Sequence, residues 1–124
     1  MKRDMELIRS ILLSIEELSK GDWDSVDLTH LEVNPDKLYY HFKLLHQSGY
    51  IDGIDQQLMN FNGFIPQELT THGHDFLDTI RDDVIWTKTK EIGNKSGAFT
   101  FDLLSEIAKG LIKTQIKKYT GVET

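Results

Sequence analysis

The chain has no cysteine. Disulfides, cysteine-based zinc sites and thiol catalysis are thereby excluded, and an intracellular, cytoplasmic location is expected. No uninterrupted apolar run reaches the length of a membrane span, so no membrane partner is expected. The opening MKRDMELIRS mixes acid and base and leads into a helical pattern, unlike a secretory signal. Without an export signal, Asn94-Lys95-Ser96 is a chance match to a glycosylation sequon. Proline is scarce, with Pro35 and Pro66 the two present. Positive charge is also short: 14 Lys and Arg face 20 Asp and Glu, a net charge of −6. A dedicated nucleic-acid binder usually carries a basic excess. Residues 21–33 and 49–69 contain no Lys or Arg at all. From Lys95 onward the balance reverses, with Lys95, Lys109, Lys113, Lys117 and Lys118 against Asp102, Glu106 and Glu123.

What is present is ordinary for a folded domain: 124 residues, 39% apolar and 27% charged, enough for one compact domain with an appended element. Met5, Ile8, Leu12 and Ile15 recur at helical spacing and predict a first helix over 3–19, stopped by Lys20-Gly21. Residues 21–33 fit either a short turn of helix from Leu28 or extended chain. Asn34-Pro35 is a strong helix start, a capping side chain followed by proline at the first helical position. The helix that follows turns Leu38, Phe42 and Leu45 inward, with His41 on its margin, and ends at Ser48-Gly49. Residues 50–58 and 64–69 predict a hairpin with Asn62-Gly63 near its turn and Pro66 on an edge strand. Phe76, Leu77, Ile80, Val84 and Ile85 predict a single helix over about 71–91. Gly93 to Gly97 reads as a loop, and Thr100 caps a last helix. The expected core is Ile8, Leu12, Ile15, Leu38, Phe42, Leu45, Ile51, Phe76, Leu77 and Ile80.

The order helix, turn, helix, hairpin, helix is that of a winged helix-turn-helix. HFKLLHQSGYI, then a hairpin, then ELTTHGHDFL resembles many winged-helix regulators from about Asn34 to Leu77. Over most of its length the chain resembles a small uncharacterised family found on phage and prophage genomes. The segments MKRDMELIRSILLSIE, YHFKLLHQSGYI, LTTHGHDFLDTIRDDVIWTKTK and FTFDLLSEIAKGLIK carry that resemblance. It implies a phage or prophage origin and a winged-helix core, and it brings no functional residues with it. The expected fold is thus mainly α with a small β-hairpin (α+β), a winged helix-turn-helix with an extra C-terminal helix. Residues 1–92 would form the winged-helix domain. Residues 98–120 would form a C-terminal helix for packing or dimerisation.

The expected function is a DNA-binding regulator, with an acidic protein-interaction module as the alternative. A DNA-binding regulator of phage or prophage type would present Lys37, Tyr39, Tyr40, Lys43 and Gln47 to bases and phosphates. An acidic interaction module would use the same residues, with aromatics such as Trp23, Tyr50, Phe61 and Phe64, to bind a host or phage protein, DNA mimicry being one form of this. A cationic stripe of Lys37 and Lys43 with Lys2 and Arg3 would favour DNA, and a neutral or negative face would favour protein. The last helix has a wide apolar stripe, and Leu104, Ile107, Ala108, Leu111 and Ile112 are its candidate contacts for a homodimer. No enzyme is expected. His72, His74, Asp75 and Asp78 cluster, but only His74 and Asp78 share a helix face, too few ligands for zinc. Gly93-Asn94-Lys95-Ser96-Gly97 lacks the spacing of a phosphate loop. No cofactor or metal is expected.

Overall fold

The computed structural model describes residues 1–22, 24–58, 61–97 and 100–121. The protein is mostly helical with one two-stranded antiparallel hairpin. In order come α1 (Met5–Leu18), a 3-10 turn (Thr29–Leu31), α2 (Pro35–Gln47), β1 (Ile51–Leu58), β2 (Phe61–Leu69), α3 (Thr71–Ile80), α4 (Asp83–Ser96) and α5 (Phe101–Thr120). Contacts cluster into two compact units, Met1–Asp75 and Phe76–Thr124.

Each α-helix starts on a side chain that accepts from an otherwise unpaired backbone N–H. Asp4 accepts from Leu7, Asn34 from Asp36 and Lys37, Thr70 from Gly73, Asp82 from Ile85, and Thr100 from Leu103. The stop of α2 is equally local. Gly49 takes φ 77°, and the Tyr50 N–H reaches back to the Leu45 carbonyl at 2.9 Å, the closure that favours glycine just past a helix end.

In the first unit, α1 buries Ile8, Ile11, Leu12 and Ile15 completely, and α2 adds Phe42 and Leu45. Of the expected core, Leu38 alone is only half-buried. His41, placed on the margin from sequence, is instead fully buried. Residues 24–28 have no regular secondary structure and lead into the 3-10 turn, and the Val26 N–H bonds the Pro66 carbonyl at 2.8 Å. The hairpin begins its second strand earlier than expected. Gly63 pairs with Gln56 and Asn62 with Gln57, so those two residues lie inside β2, and the connection at residues 59–60 falls outside the described residues. A bulge between Asp52 and Gly53 adjusts the register.

In the second unit, α4 and α5 pack together, burying Ile85, Trp86 and Thr89 on one and Phe101, Leu104 and Ala108 on the other. The Phe76 ring meets Phe101 edge-on at 5.5 Å. Two expectations are corrected. The helix expected over 71–91 is broken, because Asp82 turns extended and caps a new helix at Asp83. The stretch Gly93–Gly97 is not a loop: α4 runs to Ser96 and Gly97 is its left-handed cap. No described helix is long and apolar enough to cross a membrane.

Candidate partner-binding face

The outer side of α2 and the adjoining hairpin carry the candidate residues. Helix α2 rests on the hairpin through ring contacts, Phe64 lying tilted at 5.5 Å from Phe42 and edge-on at 5.1 Å from His46. That packing fixes which residues look outward. Lys37, Tyr39, Tyr40 and Lys43 are half-buried and Gln47 is exposed, all five on α2.

Their partners are less free than the sequence suggests. Lys37 Nζ sits 2.9 Å from Asp4 Oδ2. The hydrogen bond from Lys37 holds the Asp4 carboxyl below its ordinary value against the opposing cost of burial, and the Leu7 N–H adds to the lowering. The Tyr39 hydroxyl donates to Asp55 Oδ1 at 2.8 Å, stapling α2 to β1 across the surface. The hydrogen bond to Asp55 raises the Tyr39 hydroxyl above its ordinary value, because it exists only while the phenol keeps its proton. Lys43 Nζ lies 5.6 Å from the centre of the Tyr39 ring, within cation–π range. Tyr40 sets its edge against the His41 ring at 5.3 Å.

His41 underlies this surface. Its Nδ1 donates to the Lys37 carbonyl at 2.7 Å, and its Nε2 accepts from the Asp4 N–H at 2.8 Å. Both bonds together require a neutral ring with its proton on Nδ1. One imidazole thus ties the start of α1 to the first turn of α2. Sequence reasoning missed Asp4, His41 and Asp55 as organisers of the face. The signal available was local only for Asp4, an aspartate just ahead of the first helical residue.

On α2 and the hairpin, Lys37 and Lys43 stand against Asp36, Asp52, Asp55 and Glu68, exposed Lys2 and Arg3 stand beside Asp4, and β1 and β2 carry no Lys or Arg. Ile54 adds an exposed apolar side chain on β1, at 49% exposure. Elsewhere in the first unit, Glu16, Ser19, Gly21, Glu68, Leu69 and His74 line an open cleft, with His74 Nδ1 3.5 Å from Glu16. Among the described residues no three His, Asp or Glu are placed to share a metal ion. Trp23 and the Phe61 side chain lie outside the described residues. On α5, Leu104 and Ala108 are fully buried within the chain, while Ile107, Leu111 and Ile112 are half-buried.

The described elements define a small, mostly helical α+β protein. The chain belongs to a family described as hypothetical proteins (DUF2513), whose sequence model matches residues 2–99. An uncharacterised protein of Haemophilus influenzae is 35% identical over 117 residues, covering 94% of this chain and 99% of that protein. No solved structure matches the chain.

Proposed function

We propose that the chain is a non-enzymatic winged-helix interaction module whose α2–hairpin face docks a cationic protein surface. The winged-helix reading rests on element order: α1, turn, α2, hairpin, α3. The docking reading rests on one observation, the acidic hairpin stapled to the outer face of α2 through Tyr39 and Asp55. In a DNA reader this helix would enter the major groove and the hairpin would grip phosphate. Here Asp4 neutralises Lys37, Lys43 lies over Tyr39, and the hairpin offers only carboxylates to a polyanion. Affinity for DNA comes largely from neutralising phosphates. The same carboxylates, with exposed Ile54 beside them, suit a basic protein surface of host or phage, including one that ordinarily holds nucleic acid.

A DNA-binding regulator is the second reading, favoured by that same element order and by Tyr40, Lys43 and Gln47 on the outer face of α2. Fluorescence anisotropy separates the two. The expected result is no binding of labelled random or cognate-genome duplex even at low salt, and salt-sensitive binding of a short labelled Lys/Arg-rich peptide. Asp52→Asn with Asp55→Asn should abolish the peptide binding. Duplex binding at low salt that weakens with added salt would return the assignment to DNA.

A further inference from the structure

Every residue from Lys113 to Thr120 is exposed. Helix α5 has 20 residues against 14 in its packing partner α4, a difference of about 9 Å of helix. Its apolar stripe nevertheless continues past the packed part. Ala108, Ile112, Ile116 and Tyr119 follow at spacings of four, four and three, which keeps them on one face. Ala108 is fully buried, yet Ile116 is 40% exposed and Tyr119 82% exposed. Lys109, Lys113 and Lys117 each follow that stripe by one residue and form a parallel row beside it. Lys118 adds a fourth cation, and no acid lies between Lys109 and Gly121. The helix keeps its hydrogen bonding to the end: Thr114 bonds the Gly110 carbonyl, and Gly121 closes onto Lys117 at 2.8 Å. A well-formed ridge with exposed Lys113, Ile116 and Tyr119 therefore extends past the packed part of the helix.

We infer that this ridge docks on the acidic α2–hairpin face of a second copy, so that two chains clasp each other reciprocally. The inference rests on the reading of that face as a site for cationic protein. Charge complementarity selects the occupant. Residues 1–75 carry 13 Asp and Glu against 6 Lys and Arg, whereas Lys109–Thr120 carries four lysines and no acid. Ridge-to-ridge pairing of two α5 helices would instead set four lysines against four of the same sign, which is unfavourable. On the receiving face, exposed Ile54 gives Ile116 and Tyr119 an apolar contact between carboxylates.

Light scattering after gel filtration, on the full chain, tests this with charge exchange. The wild type should be a dimer at low salt and dissociate as salt rises. Lys113→Glu with Lys117→Glu, and separately Asp52→Lys with Asp55→Lys, should each weaken the dimer at least about ten-fold, the change that roughly 1.4 kcal/mol produces. Mixing the two variants should restore a dimer, because both of its contacts then pair opposite charges. Ile116→Glu, at an exposed position, should weaken association without affecting helix content by circular dichroism. A wild type monomeric at every salt concentration overturns the inference, as does a dimer indifferent to both charge sets or a mixture that stays monomeric. If the monomeric wild type still binds the basic peptide through Asp52 and Asp55, the docking face stands and only its occupant is wrong. Binding of duplex DNA or anionic phospholipid vesicles through Lys113 and Lys117, without self-association, would reassign the ridge to that partner.

Discussion

His41 shows how much one side chain can hold. It is fully buried, and its two ring nitrogens bond backbone groups 33 residues apart in sequence, at Asp4 and Lys37. His41→Ala would leave a cavity and strand both backbone groups, so a loss of roughly 2–4 kcal/mol is expected. Urea denaturation measures it, and an unchanged midpoint would refute the clamp. Gly73 is a second such point. A Cβ there would lie 1.9 Å from the Tyr50 carbonyl oxygen, so the first turn of α3 approaches the start of the hairpin as only glycine permits. Gly73→Ala should cost roughly 1–3 kcal/mol, against little effect from alanine at Gly110, where nothing lies within 4 Å of the added atom. Tyr39 gives a spectroscopic handle. With Asp55→Asn the tyrosine loses its anionic neighbour, and its titration should fall back towards the ordinary 10.0. Phenolate absorbance, compared with Tyr39→Phe to isolate this ring, reads the shift.

At the scale of elements, legibility followed the range of the signal. Helix α2 was readable almost to the residue, because Asn34, Pro35 and Gly49 act through their own backbone neighbours. The break between α3 and α4 was not readable. Phe76, Leu77, Ile80, Val84 and Ile85 keep helical spacing across it, and Arg81-Asp82 contains neither Gly nor Pro. Asp82 acts there as a cap, a role that aspartate inside a periodic stretch does not announce. Gly93–Gly97 erred the other way: its composition favours a loop, but buried Gly93 lies in a helix packed on α5, and packing overrides propensity. The candidate face was legible as a list of α2 residues and not as chemistry. Asp4 and Asp55 arrive from 33 and 16 residues away, and neither pairing leaves a local pattern. The Asp4 bond has a testable pH signature. Because the folded carboxyl sits below the ordinary 3.8, its stabilisation is present above that value and is lost as pH falls through the folded one. Asp4→Asn retains a capping side chain but lacks this titration. Its stability should therefore decline less steeply than that of the wild type as pH falls below that ordinary value, as denaturant midpoints will show.

For the whole molecule, charge is distributed rather than merely negative. The 13 acids and 6 bases of residues 1–75 contrast with 7 acids and 8 bases in residues 76–124. An excess of like charge repels itself, and such repulsion opposes a compact state. Salt screens it over a distance of about 10 Å at 0.1 M. The Lys37–Asp4 pair is partly exposed, so screening removes little stability there. That repulsion should dominate, and the denaturation midpoint of the chain should rise as sodium chloride is increased from a few millimolar into the hundreds. Association should move the opposite way, because docking of the lysine ridge on the carboxylates depends on attraction between the same unscreened charges. The two trends can be separated at low protein concentration, where the monomer predominates and only the intramolecular term remains. A monomer that loses stability with salt would mean that attractive pairs outweigh repulsion in the first unit. The acidic surface would then be largely neutralised from within and poorly suited to hold a basic partner.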